Sequence, residues 1–340
     1  MKNLKYVLLV VIALSLTFCN KDEDLRISPF ENLSSQVSSF VNFKGTGGIV
    51  VDSQDNIFAV SGNKIMKITP SGSISLFAGD SNNISGNKDG LGSNARFNEP
   101  QQLAIDNNDT IYVVDYKNNR IRKIMPNGEV TTLAGSSLGY KEGNGSQAKF
   151  NRPFGIAVNE NGVVYVADTY NFRIRKIMPN GDVTTLAGNG SQGYKDQEGT
   201  LAKFDECASM TIGIDGNIYV SDALNRRIRK ITPEGMVSTF AGNGNCKVID
   251  GKGTEATVCG MWSITTDKKG NLIYVDVVHN LVRIISPEAW VATLAGSEKG
   301  YEDGDSKIAK FDHLVGVAIN SKNEVFVIDY FNSKIRKIIF

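Results

Sequence analysis

From about residue 45 onward, short apolar runs alternate with clusters of Gly, Asn, Asp and Pro. This pattern predicts many short strands rather than long helices. Between residues 155 and 187 it reads as four strands. Gly155 to Val158 is strand a, Val163 to Ala167 strand b, Arg173 to Ile177 strand c and Asp182 to Ala187 strand d. The segments between them, Asn159 to Gly162, Asp168 to Phe172 and Met178 to Gly181, read as turns. Asn-Gly between short β-branched runs is a strong local hairpin signal. Strand b is apolar without alternation, which predicts burial on both faces.

The same unit recurs. An Asp closes the apolar run at Asp115, Asp168, Asp222, Asp276 and Asp329, a period of 53 or 54 residues. Seven residues later stands an Arg: Arg122, Arg175, Arg229, Arg283 and Arg336. An Ala-x-Phe mark precedes each unit at Ala95/Phe97, Ala148/Phe150, Ala202/Phe204 and Ala309/Phe311, with Ala256/Val258 as the variant copy. A four-stranded meander buried on both faces must pack between copies of itself, and radial repetition of such meanders is a β-propeller. Residues 45–340 hold five complete units and a sixth that stops after strand c, at Ile335 to Ile338. A missing outer strand would leave a raw edge. Val37 to Val41 resembles the outer strand Val130 to Ala134, so we expect an all-β, six-bladed propeller over residues 36–340, closed by the N-terminal strand. The competing reading makes residues 37–41 a linker.

The run P-x-G-I-A-V, then IYVAD-x-x-N-x-RIRKI-x-P-x-G-x-V-TTLAG, resembles the NHL repeat, a six-bladed propeller family. The resemblance covers nearly all of residues 45–340. It implies the fold strongly and the activity weakly, because this fold hosts binding modules and a few enzymes.

Composition narrows the function classes. Lys and Arg number 37 against 36 Asp and Glu, a net charge of +1, which supplies no long-range field for nucleic acid. The Arg and Lys of strand c, such as Arg122 and Lys123, read as a basic stripe offset by acidic crossover loops. No nucleic-acid partner is expected. Four Cys and two His exclude a disulfide-scaffold fold and the usual multi-His metal centre.

The N-terminus reads as an address. Lys2 and Lys5 precede the apolar run Tyr6 to Leu16, too short for a bilayer of ~30 Å, so residues 1–18 read as a cleaved leader. Leu16-Thr17-Phe18-Cys19 resembles a bacterial lipobox, departing from it at Phe18, with Cys19 as the lipidated residue. Asn20 to Asp24, a Lys followed by acids, resembles the export tether of surface-displayed lipoproteins; its plain alternative is a solvated charged linker. Residues 19–35 are expected to be that tether. The expected location is the outer membrane, surface-exposed, with periplasmic or secreted as the alternative. The membrane is touched only through the lipid, and the chain is expected to be a monomer.

In a propeller the b–c turns and the long d–a crossovers share one face, and long loops on a rigid scaffold are where binding usually lives. The crossovers repeat an acid beside Gly at Asp89, Glu142, Asp250 and Asp303, with Asp196 a partial copy. That reads as a turn former, against a calcium-binding alternative. Asp-x-x-Asn-x-Arg (Asp115/Asn118/Arg120, Asp168/Asn171/Arg173, Asp222/Asn225/Arg227) reads as a polar brace whose Arg bridges to the next blade. Binding is sought where the repeat breaks. Glu99, Gln101, Gln102, Arg152, Phe154, Glu206, Trp262 and His313 are expected at the channel mouth, mixing charge and aromatic rings as a glycan or small polar ligand requires.

No cofactor is predicted. A divalent cation has weak candidate ligands in His279, Asp312 and His313, and a lactonase-like centre in Asn98, Glu99, Asn151, Asp205 and Asp312. Cys246 and Cys259 bracket one crossover and form the first-choice disulfide, with Cys207–Cys259 the alternative. The expectation is a tethered binding or scaffolding module for a glycan, a peptide or an envelope protein, rather than an enzyme. The alternative is a metal-dependent hydrolase or lyase of the lactonase-like propeller type.

Overall fold

The computed structural model describes residues 28–340. The leader, Cys19 and the start of the tether lie outside the described residues. The rest is six antiparallel sheets arranged as the blades of one ring. Blade three shows the pattern: Ile156–Val158, Val164–Asp168, Arg173–Ile177 and Asp182–Ala187, paired in sequence order as strands a to d. Its strand b is buried at every position, as the unalternating apolar run requires. Blades two, three, five and six gain a short fifth strand on strand d, donated by the crossover loop: Gly90–Leu91, Gly143–Asn144, Gly251–Lys252 and Gly304–Asp305. Among the described residues no helix is long and apolar enough to cross a membrane.

The ring closes as expected. The N-terminal strand Gln36–Asn42 is strand d of blade six and pairs antiparallel with strand c, Lys334–Ile339, from Gln36 opposite Ile339 to Asn42 opposite Lys334. Val37 is buried in the core between blades five and six. Phe40 meets Phe326 edge-on at 5.2 Å. Residues 28–35, read from sequence as tether, lie against the body. Phe30 and Leu33 pack on the same core, and Ser35 donates to the carbonyl of Leu294 at 2.8 Å. Two apolar side chains within a polar stretch suffice to dock it.

The crossovers are pinned by their Ala-x-Phe marks. Phe97, Phe150, Phe204 and Phe311 are fully buried, each contributing about 1.5–3 kcal/mol by burial. The Gly that ends each strand d is required by geometry. Gly188 has φ +97°, and a Cβ there would stand 2.4 Å from the carbonyl oxygen of Phe172.

The strand a residues of all six blades surround a central cavity of about 180 Å³. Gln102 narrows its mouth. This buried side chain reaches from blade two to the opposite blade, where its Nε2 donates to the carbonyl of Trp262 at 3.1 Å.

Candidate functional site

The repeated charges are structural, and the brace differs from the one the sequence suggested. In blade three, Asp168 accepts from Arg175 at 2.8 Å, from Asn171 Nδ2 at 2.8 Å and from the backbone N–H of Asn151 at 2.7 Å. Asp115–Arg122, Asp222–Arg229 and Asp329–Arg336 repeat the pair, at 2.8, 2.6 and 2.8 Å, with both side chains fully buried. Burial pushes Asp222 up to about 6, against the pull of Arg229. The bridging residue is therefore the Arg seven after the Asp, not Arg120, Arg173 or Arg227. It binds its own blade to the preceding crossover rather than to the next blade: Arg175 donates to the carbonyls of Lys149 and Lys141 and lies between the rings of Tyr140 and Phe150. These arginines form no basic stripe, because they are buried.

The crossover acids belong to the same scheme. Asp89, Asp196, Asp250 and Asp303 each pair with the buried Arg of the following blade. Asp196 also accepts from the N–H and hydroxyl of Thr239, so it is a full copy. Glu142 accepts from Thr185 N–H instead.

The positions where the repeat diverges share one backbone feature. Glu99, Arg152, Glu206, Gly260 and His313 all adopt positive φ, between 46° and 64°, at the corner entering strand a. Asn63, Asn119 and Asn280 of the preceding blades accept from the N–H of Glu99, Arg152 and His313. The side chains then go separate ways. Glu99 forms an exposed pair with Lys117 at 2.5 Å. Gln101 offers its backbone carbonyl to the N–H of Gly48, and Gln102 spans the channel. His313 lies against Tyr330 and Phe331, and burial lowers its pKa. Glu99→Ala is expected to change unfolding free energy by no more than about 0.5 kcal/mol, because the pair is solvated. A larger loss in urea titration would mean that this corner is held by the side chain rather than by Asn63.

Phe154, Glu206 and Trp262 converge on an off-axis cleft of about 610 Å³ between blades three, four and five. Its wall is an aromatic chain: Tyr116 meets Phe154 at 6.0 Å, and Phe154 meets Trp262 at 5.4 Å, both edge-on. Arg152 stands over Tyr170, another lining residue, at 5.6 Å. Leu224 and Val278 line the cleft too and are more than half exposed. Arg226 and Glu206 are its charged side chains. Burial raises the pKa of Tyr116, and raises that of the free thiol Cys207 at the cleft floor far more. Sequence reasoning missed Tyr170, Leu224 and Val278. The signal was present: the residue two after the strand b Asp is Lys117, Tyr170, Leu224, Val278 or Phe331, a large side chain in an exposed turn.

His279, Asp312 and His313 do not gather. Asp312 turns to Lys299 at 3.4 Å, and His279 Nδ1 lies 2.8 Å from Asp276 Oδ2. The lactonase-like set is dispersed as well. Asn98, Asn151, Asp205 and Asp312 occupy equivalent positions in blades two, three, four and six, each tied by its backbone N–H to its own strand b Asp. Cys246 and Cys259 form the first-choice disulfide. Among the described residues, the one group of three His, Cys or acidic side chains close enough to share an ion is Cys246, Cys259 and His279.

The NHL repeat family matches residues 97–124 and 150–177, in blades two and three. The protein is thus a six-bladed β-propeller in which segments of blades two and three match the NHL repeat. NHL repeat-containing protein 2 of Gallus gallus is 28% identical over 277 residues, 70% of this chain and 38% of that protein. The chain therefore spans well under half of that relative. An auxiliary nutrient binding protein from Bacteroides thetaiotaomicron VPI-5482 superposes with a TM-score of 0.68 at 16% identity, over 90% of this chain and 76% of the other. A gluconolactonase from Xanthomonas campestris superposes with a TM-score of 0.58 at 11% identity, over 94% and 92%. At such identities the likeness is one of fold.

Proposed function

We propose that this protein is a tethered binding module that takes a glycan in the cleft between blades three, four and five. The observation that carries the reading is the cleft itself, a rigid concave site of about 610 Å³ with an aromatic wall and two charged side chains. The apolar face of a pyranose ring would lie on Trp262 and Phe154. Its hydroxyl edge would meet Glu206 and Arg226. A propeller neighbour described as a nutrient binding protein is consistent with such a role. The lipobox-like Leu16 to Cys19 and the charged residues after it support display from the outer membrane by a lipid anchor. Binding is favoured over lactonase-type hydrolysis because the carboxylates that would hold a catalytic ion are engaged elsewhere, Asp205 by Gln192 and Asp312 by Lys299, and do not gather.

The test is a calorimetric titration with neutral pyranose oligosaccharides. Trp262→Ala is expected to weaken binding at least about tenfold, as loss of a central aromatic anchor does. Its melting temperature should stay within about 2 °C of the parent, because Trp262 is partly exposed. Unchanged affinity in Trp262→Ala, or no saturable signal with any oligosaccharide, would remove the proposal.

A further inference from the structure

Blade five breaks the repeat at three positions that are far apart in sequence and adjacent in space. In blade four, Gln192 on the crossover donates to Asp205 at its end, at 3.1 Å, and Asn225 in the b–c turn donates to Asp222. In blade six the equivalent residues are Lys299, paired with Asp312 at 3.4 Å, and Asn332, bonded to Asp329. At the same three positions blade five carries Cys246, Cys259 and His279. A loop-closing polar pair has become a pair of sulfurs, and the amide beside it has become an imidazole. Their donor atoms all lie within 4.8 Å of one another.

The surroundings have changed in the same direction. Elsewhere the strand b Asp is held by the buried Arg of strand c. Asp276 instead turns to His279 Nδ1 at 2.8 Å, and Arg283 Nη1 is left without a hydrogen-bond partner among the described residues. A carboxylate on one imidazole nitrogen fixes the ring and leaves Nε2 as an oriented ligand, the usual second-shell arrangement of a metal-binding histidine. A structural disulfide alone would require two substitutions. It gives no reason for the third, nor for diverting Asp276 from Arg283.

We propose that Cys246, Cys259 and His279 form a redox-gated zinc site. Oxidised, the two sulfurs are the disulfide. A thiol reductant opens it by exchange: two equivalents of thiol are oxidised to their own disulfide, and both cysteines become thiols. Zinc then displaces the two thiol protons and is held by two thiolates and the His279 imidazole, a donor set suited to a soft tetrahedral ion. Both cysteines line the aromatic cleft, so the fourth position is filled by water or by a molecule in that cleft. The site does not depend on the identity of the cleft's ligand.

The experiment uses the protein with Cys207→Ala as background, which removes the remaining described thiol. It is reduced with a phosphine, exchanged into buffer without reductant under argon, and titrated with zinc and with cobalt. One zinc per chain, retained through gel filtration after reduction and absent from the oxidised protein, is the expected result, together with the intense visible bands of tetrahedral thiolate-bound cobalt. His279→Asn restores the residue of the other blades and leaves the disulfide intact, so it is expected to fold. After reduction it should bind zinc at least about tenfold more weakly. Zinc should also raise the melting temperature of the reduced parent and not that of reduced His279→Asn. Reduced protein that takes up no zinc, or His279→Asn that binds as tightly as its parent, overturns the site.

Discussion

Removing residues 28–42 is expected to abolish cooperative folding rather than merely lower stability. The strand Gln36–Asn42 supplies a full ladder to Lys334–Ile339, the buried Val37 and the Phe40–Phe326 contact. It also supplies Ser39, whose N–H donates to Asp303 at 3.1 Å, while Asp303 holds the buried Arg336. Without that strand, Lys334–Ile339 becomes a long unpaired edge beside an opened core, the arrangement that recruits other chains. The truncated protein should lose its sigmoidal urea transition and elute as aggregate in gel filtration. The register suggests a rescue. Gln36 lies opposite Ile339, so the start of the closing strand sits beside the end of strand c. A permuted chain carrying residues 36–42 after Phe340 through an Asn-Gly turn needs only a tight hairpin, and it should recover most of the transition. A truncated chain that unfolds as cooperatively as the parent would show that five blades and a partial sixth suffice, and that closure contributes little.

Much of this was legible in the sequence, because period and patterning are properties of backbone geometry. The Asp at each strand b end, the Ala-x-Phe mark and the Asn-Gly turns fix blade boundaries to within a residue or so. The closing strand could be inferred because an open edge is costly. The brace was half legible. Arg120 and Arg122 sit two apart on one strand and share a face, so the pattern cannot say which of them returns to Asp115. In the fold, Arg122 lies buried over Phe97 and reaches Asp115, while Arg120 sits at the end of the strand. The cleft was less legible, because it depends on where turns of neighbouring blades meet. Phe154, Glu206 and Trp262 were found through their divergence at strand a. Tyr170 and Leu224 lie in b–c turns, where divergence looks like ordinary loop drift. The role of Gln102 was hidden for the same reason, since its partner lies across the ring, 160 residues away.

The buried ion pairs carry the second large expectation. Arg175→Met should cost about 3–5 kcal/mol, because it leaves the Asp168 carboxyl fully buried and deprived of its counter-ion. It also frees the carbonyls of Lys149 and Lys141, so the crossover loses two of its ties to blade three. Asp168→Ala should cost a similar amount by stranding the guanidinium between Tyr140 and Phe150. The double variant should cost clearly less than the two together, since once one partner is gone the other is already a liability, and coupled neighbours depart from additivity by about 0.5–3 kcal/mol. Blade five supplies the control within the same molecule. Arg283 has lost its strand b Asp to His279, and it keeps only Asp250 and the carbonyl of Ala292. Arg283→Met removes no buried pair with Asp276 and should cost less than half as much as Arg175→Met. Urea midpoints of the four variants decide the matter. Equal losses in blades three and five would mean that the packing and carbonyl hydrogen bonds of the long arginine side chain, rather than its charge pair with the strand b Asp, hold the blade.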